Sequence, residues 1–395
     1  GIIWTPTSNK VYVSSPYDEN VVIIDAATLQ VRTALEMGDQ PNSMCWNSVN
    51  NKLYVATCDN NSIVVIDCYG DSVITTMHVP GAPVPMAYNS TLNKLYVGAY
   101  ENRFVSVFDG DGDSLLGRVY VDNLGIQGIQ GLLWHPGTNR VFCTTAHDSI
   151  KVIDCATDEV IYAHGGGAGS FGLTRNHVND LVYAIWFQSM QALTAAGDSV
   201  VATMPFQMHG ACPVPYPNKL YGRGFDTIRM VDCRTHTVTR TIRVPHEGFP
   251  MLCDTVGGRV YAASPAPQNV VFVMDPWADS VLMEVSVGRS PSALAWDWLD
   301  NRVFVANGMD TTVSVIRTNV GISEEPRPVT SGRGRAITVR NGALEWNAQG
   351  QFLDLSGRLL ARLEPGLNRL PDLAPGVYFI QCEDRSGAIK AAVMR

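Results

Sequence analysis

A five-residue phrase, Asn-Lys followed by an apolar residue, Tyr and Val, returns along this chain at a nearly fixed interval. It stands at Asn9-Lys10-Val11-Tyr12-Val13, at Asn51-Lys52-Leu53-Tyr54-Val55 and at Asn93-Lys94-Leu95-Tyr96-Val97. Looser copies begin at Asn139, Asn179, Asn218, Gly258 and Asn301, so successive starts lie 42, 42, 46, 40, 39, 40 and 43 residues apart. A period in this range, built of short strands, means a radial β-repeat, because one unit cannot bury its apolar faces without neighbours.

Residues 41–79 show what one unit contains. An apolar run, Ser43-Met44-Cys45-Trp46, ends in polar turn residues; Lys52–Ala56 alternates, and Ser62–Ile66 is almost continuously β-branched. Turn chemistry at Asp67–Asp71 then leads into Val73–Met77. Four antiparallel strands in about 40 residues make one blade of a β-propeller. The expected fold is all-β: an eight-bladed propeller, with seven blades as the alternative if one weak unit is not a blade.

Seven units own a fourth strand, around Val31, Val73, Leu115, Val160, Val200, Val238 and Val281. The eighth runs through Thr312–Ile316 into Glu324-Glu325-Pro326-Arg327-Pro328, where no strand pattern continues. Its outer edge is therefore expected to be covered by residues upstream of Gly1, by the C-terminal module, or by another molecule. An open edge is a template for strand addition.

The propeller is expected over residues 1–318, a Gly-, Pro- and Ser-containing linker over 319–335, and a second domain over 336–395. In that last stretch short strand candidates alternate with turns at Ser356-Gly357, Pro365-Gly366, Pro375-Gly376 and Ser386-Gly387, the pattern of a small β-sandwich. A net charge of −8 and the scarcity of clustered Lys and Arg argue against nucleic acid as a partner. No apolar run is long enough for a membrane-spanning helix. The chain begins at Gly1 without Met and shows no signal peptide, which reads as a processed or trimmed start. Nine cysteines are an odd number, and Cys68, Cys155 and Cys233 recur at one point of the repeat, as small buried apolar residues would.

The repeat resembles the YVTN-type β-propellers, in which an Asn-Lys-apolar-Tyr-Val strand precedes a Val-x-Val-Ile-Asp strand and a Thr-x-x-Val hairpin. The tail resembles a type IX secretion C-terminal sorting domain through Asp354-Leu355-Ser356-Gly357-Arg358, then Pro375-Gly376-Val377-Tyr378 and a closing apolar strand. The Pro-Asn-Pro opening of that family is missing. The second resemblance implies export by a dedicated machinery and a secreted or cell-surface location.

An Asp follows the third strand at Asp25, Asp67, Asp109, Asp154, Asp232 and Asp275; an Asx-turn over the next hairpin explains this series better than catalysis does. Asp109-Gly110-Asp111-Gly112-Asp113 imitates the start of a calcium loop but has no Glu at the twelfth position. Gly165–Ser170 lacks the Lys-Ser/Thr ending and the following helix of a phosphate loop. The periodic Trp4, Trp46, Tyr88, Trp134 and Trp296 read as interblade packing.

Propellers usually bind ligands at one mouth of the channel. The loops placed there contain Tyr17, Tyr100, Arg103, His147, Trp186, Phe187, Arg223, His209 and His246, with Phe171 beside them, a set suited to a carbohydrate or peptide. No metal spacing, cofactor motif or nucleophile elbow stands out. The function expected is that of a non-catalytic exported propeller that binds or builds extracellular assemblies, with other protein subunits as partners. The alternative is a propeller enzyme, such as a lyase, acting at the channel mouth.

Overall fold

The computed structural model describes residues 1–318 except 122–127, 147, 148, 168, 216, 225, 245–249 and 256. Beyond 318 it describes 337–339, 343–346, 350–353, 359–364, 366–369, 376–382 and 388–393. The chain divides into two compact units, one of Gly1–Cys253 with Val260–Ile316, the other of Asp254–Arg259 with Arg317–Arg395.

The first unit is an eight-bladed β-propeller. Seven blades are four-stranded antiparallel sheets in simple sequence order, and the eighth has three strands among the described residues: Pro291–Asp297, Arg302–Asn307 and Thr312–Arg317. Blade 1 contributes its inner strand Ile2–Thr5 beside that of blade 8, so the ring closes face to face. Edge-to-face contact of Trp4 with Trp298, ring centroids 5.2 Å apart, lies in this closing seam with buried Ile24 and Phe304. Between every pair of blades lies an apolar layer such as Tyr54, Ile63, Val65, Leu95 and Val97, so the core is a ring of seams and not one centre.

Each residue of the repeated phrase has a separate task. The Asn turns the hairpin between first and second strands in the left-handed region, with φ of +47° at Asn9, +53° at Asn51 and +51° at Asn93. Asn tolerates that conformation better than most L-residues. Its side chain also accepts from the aromatic residue five positions earlier: Trp4 Nε1 to Asn9 Oδ1 is 2.9 Å, Trp46 Nε1 to Asn51 Oδ1 3.1 Å, and Tyr88 Oη to Asn93 Oδ1 2.7 Å.

The Lys and Tyr reach forward into the next blade. Lys52 Nζ donates to Gly110 O (3.1 Å), Asp111 O (2.8 Å) and Asp113 Oδ2 (2.7 Å), while Tyr54 Oη donates to Asp113 Oδ1 (3.1 Å). Lys94 and Tyr96 clamp Asp158 in the same way, as do Lys219 and Tyr221 with Asp279. The clamped Asp itself sits at positive φ, +54° at Asp113 and +56° at Asp158, in the turn between third and fourth strands.

Where the Tyr becomes Phe, the clamp disappears. Blade 4 carries Phe142; in the facing turn of blade 5 Asp198 is exposed and accepts from Thr194 Oγ1 (2.6 Å), while Gly197 takes the positive φ, its added Cβ lying 2.7 Å from Val152 Cγ2 and 3.0 Å from Phe142 Cε1. Blade 8 carries Phe304, and the corresponding turn residue of blade 1 is Leu29 at φ +62°.

Blade 5 corrects one expectation. Its left-handed hairpin residue is Asp180 (φ +57°), not Asn179, so Leu181 takes the place of the Lys. The register follows from Asn176, which accepts from Val178 N (2.9 Å) as Asn47 does from Val49 N (3.0 Å). Arg175 then occupies the aromatic position and donates through Nε to Asp180 Oδ1 (3.0 Å), repeating the aromatic-to-Asn bond with charged partners.

The Asp series after the third strand caps turns. Asp25 Oδ1 accepts from Ala27 N and Thr28 N, Asp67 from Tyr69 N and Gly70 N, Asp154 Oδ1 from Ala156 N, and Asp275 Oδ1 from Trp277 N. In the second unit the strands pair as a five-stranded sheet, in which Ile337–Val339 runs parallel to Ala388–Val393, and a two-stranded sheet of Ala343–Trp346 with Gly366–Arg369.

Candidate functional site

Antiparallel order puts the connections between blades and the turns between second and third strands on one face of the ring. On that face blades 5 and 6 assemble an aromatic shelf. Phe171, near the start of the inner strand Ser170–Arg175, has its ring centroid 4.6 Å from that of His209 and 6.1 Å from that of Phe187. Phe187 and His209 lie stacked, 6.2 Å apart with planes 16° from parallel. The two Phe rings are 42% and 39% exposed, a large apolar area to leave in water.

Arg223, the last residue of blade 6's second strand, donates Nε to His209 O at 3.0 Å. Arg229, on the adjoining third strand, donates Nη1 to Gln207 O. Two guanidinium groups thus fasten the 206–210 segment that carries the His209 ring. Burial holds the Arg223 pKa below its ordinary value.

Of the expected mouth residues, the structure brings Phe171, Phe187 and His209 into ring contact and ties Arg223 to the His209 carbonyl. Tyr17, 96% exposed, sits on a turn of blade 1, and Tyr100 and Arg103 on a turn of blade 3. Trp186 is enclosed, which removes it from any ligand surface. Added Cβ atoms at Gly166 and Gly167 would lie 2.1 Å from Trp186 Cζ2 and 3.0 Å from its Cβ, so the glycine run serves to let backbone cover the indole. His147 and His246 fall outside the described residues, as do Asp354, Gly357, Arg358 and Pro375 of the tail motif; Gly376 and Tyr378 belong to the strand Gly376–Cys382. Arg229 was not legible as a site residue, because it stands inside a strand where alternation alone accounts for it.

A second concave place lies at the other end of the channel. Cys45, Trp46, Met86, Tyr88, Leu132 and Trp134, at the ends of the inner strands of blades 2, 3 and 4, line a recess of about 370 Å³. The periodic aromatics therefore do more than pack between blades. The calcium-like loop, by contrast, is already filled: Lys52 Nζ meets Asp113, and Asn50 and Asn93 donate to Asp111 Oδ1 at 2.8 and 2.9 Å.

The third feature is the edge of blade 8. In blade 2 the third strand buries Ile63, Val64, Val65 and Ile66. In blade 8 only Ile316 of Thr312–Arg317 is buried, while Val313, Ser314 and Val315 remain half-buried because no fourth strand lies outside them among the described residues.

These features define an eight-bladed β-propeller protein whose last blade has three strands among the described residues. No protein-family model matches the sequence, and no curated protein matches it. Solved structures share the fold. BamB from Moraxella catarrhalis is similar at 10% identity and a TM-score of 0.65, covering 80% of this chain and 95% of that one. The dihydro-heme d1 dehydrogenase NirN, in complex with DHE, is similar at 11% identity and a TM-score of 0.66, covering 75% and 68%. A chain of the Kuenenia stuttgartiensis hydrazine synthase is similar at 15% identity and a TM-score of 0.57, covering 81% and 95%. At such identities the likeness is one of fold.

Proposed function

We propose that this chain is a non-catalytic exported β-propeller that binds other proteins and assembles with itself, a strand of a second copy completing blade 8. The observation that carries the reading is the half-buried third strand Thr312–Arg317, whose Val313 and Val315 receive from the described residues no outer strand like the one beside Ile63–Ile66 in blade 2. An apolar edge of this kind is satisfied by β-augmentation. The repeated carboxylates are committed to turns and interblade clamps, which favours a scaffold over an enzyme. Likeness of the repeat to YVTN-type propellers and of the tail to type IX sorting domains supports export to the cell surface or medium.

The test is the particle itself. Light scattering and electron microscopy of the full chain should show concentration-dependent oligomers or a polymer, and Val315→Lys, which places a charge on the open edge, should return it to monomers with unchanged circular dichroism. A monodisperse monomer at every concentration, or assembly indifferent to Val315→Lys, defeats the proposal.

A further inference from the structure

At the end of the channel opposite the aromatic shelf, three neighbouring blades turn rings onto one recess. Trp46, Tyr88 and Trp134 each stand five residues before the left-handed residue of their hairpin, at Asn51, Asn93 and Asn139. Each ring packs on the apolar seam beside it and is half-buried, and its remaining surface lines the recess of about 370 Å³. That volume lies within the range of small-ligand sites. Packing alone does not account for the rings. Apolar seams run between all the blades, yet this position carries a ring only in blades 8, 1, 2, 3 and 4; blades 5, 6 and 7 have Arg175, Pro213 and Cys253.

The chemistry of the lining narrows the ligand. The polar edges of the rings are already engaged: Trp46 Nε1 donates to Asn51 Oδ1 (3.1 Å), Tyr88 Oη to Asn93 Oδ1 (2.7 Å) and Trp134 Nε1 to Asn139 Oδ1 (3.4 Å). What the rings offer the recess is apolar surface. Among the described residues no charged side chain lines it, and burial pushes the Cys45 thiol up to about 12, which keeps it neutral. A charged ligand would shed hydration there without gaining a counter-charge. Ser48 and Ser90 supply the polar part. They hold one repeat position, directly after Asn47 and Asn89, and both are exposed at the recess. Neither hydroxyl has a hydrogen-bond partner among the described residues.

We propose that this recess binds one neutral pyranose sugar ring, its C–H face against Trp46, Tyr88 and Trp134 and its hydroxyl groups on Ser48 and Ser90. A pyranose has the same division as the recess, an apolar face bordered by hydroxyls. A wholly apolar ring would match the walls and leave the two serines to water. The site is separate from the third strand of blade 8 and holds whether or not the chain assembles.

The experiment is calorimetric titration, with saturation-transfer NMR, of the full chain. The probes are the methyl β-glycosides of glucose, galactose and N-acetylglucosamine, with methyl β-glucuronide as the charged counterpart and benzyl alcohol as the flat apolar one. At least one neutral glycoside is expected to bind about tenfold or more tightly than the glucuronide and benzyl alcohol. Trp134→Ala should weaken it about tenfold, and so should Ser48→Ala combined with Ser90→Ala, at exposed positions where folding is unaffected. Trp277→Ala, which removes a 48% exposed indole from blade 7, should leave the affinity unchanged. The proposal is overturned if no neutral glycoside binds, or if the glucuronide or benzyl alcohol binds as tightly. It is also overturned if the affinity survives the paired serine change or a folded Trp134→Ala, or if Trp277→Ala weakens it as much.

Discussion

The seam between blades 2 and 3 and the seam between blades 8 and 1 solve one packing problem with different chemistry. At the first, Lys52 and Tyr54 share the carboxylate of Asp113, and Asn47 Nδ2 reaches across to Gly110 O (3.3 Å) and Asn93 Oδ1 (3.3 Å). At the second, Arg302 bonds only the carbonyls of Ala26 and Ala27, Phe304 has no hydroxyl to offer, and Leu29 stands where the Asp would be. Asp297 replaces Asn47 there. Its Oδ1 accepts from Leu299 N (2.9 Å) and Asp300 N (3.1 Å), but its buried Oδ2 has no partner. The blade 2–3 seam is locked by charge and hydrogen bonds, whereas the closing seam relies on the faces of Trp4, Trp298 and Phe304.

The largest effect should come from breaking a complete clamp. Lys52→Met leaves Asp113, with a side chain only 4% exposed, facing apolar atoms, at a cost of about 3–5 kcal/mol. Arg302→Met removes bonds to two carbonyls only and should cost about half as much or less. Thermal and urea unfolding of both variants checks this, and equal losses would erase the distinction between the seams.

Asp297→Asn should stabilise the closing seam by about 1–3 kcal/mol at neutral pH, since the new amide gives the position the donor that Asn47 uses. Burial raises the Asp297 pKa above its ordinary value. Folding therefore favours the protonated acid, and the wild-type seam loses stability as pH rises from below the unfolded carboxylate range. The advantage of Asp297→Asn should shrink toward zero in acid, which unfolding at pH 7 and near pH 4 would show.

Tyr54→Phe should cost about 1–3 kcal/mol, because Asp113 loses a donor while staying buried. The reverse edit, Leu29→Asp with Phe304→Tyr, should strengthen the closing seam by about 1 kcal/mol, partly by removing a Leu from the left-handed region. Differential scanning calorimetry of the two would reveal opposite shifts.

The smallest effect is expected at His135, which holds the Asn47 position in blade 4. It is buried, and burial together with Arg175 lowers its pKa despite Asp180 Oδ1 at 3.2 Å from Nε2. A depressed imidazole contributes fully above the unfolded value of about 6.5 and loses stability as pH falls through and below it. His135→Asn should abolish that decline between about pH 6.5 and 5, measured as the difference in melting temperature from wild type.

Much of the propeller was legible because its period is written in residues that each need a particular backbone. Asn51 and Asn93 mark left-handed turns, and Asp67 and Asp154 mark Asx-turns, and both signals act within a few residues. The role of Lys52 was not legible, because its partners stand 58 to 61 residues ahead in another repeat. Comparing repeats at that offset would have revealed part of it: Tyr54 and Tyr96 travel with Asp113 and Asp158, and Phe304 with Leu29. Blade 5 misled because Asn179 imitates the marker one residue early. At the mouth, the expected list gathered residues from several blades, of which His209 and Arg223 meet and Trp186 is walled in; the recess near Trp46 and Trp134 was hidden by reading repetition as packing alone.

The clamps also run one way. Lys10 grips blade 2, Lys52 blade 3 and Lys94 blade 4, and among the described residues no blade grips its predecessor by this device. Each blade therefore has a giving side and a receiving side, like links in a directed chain, and the order of blades is a vector before it is a circle. A new break between blades 2 and 3, with the existing ends joined, would ask two separate chain ends to find the grip of Lys52 on Asp113 that continuity now guarantees, whereas a break between blades 4 and 5, where no such clamp stands, would leave every one of these links intact.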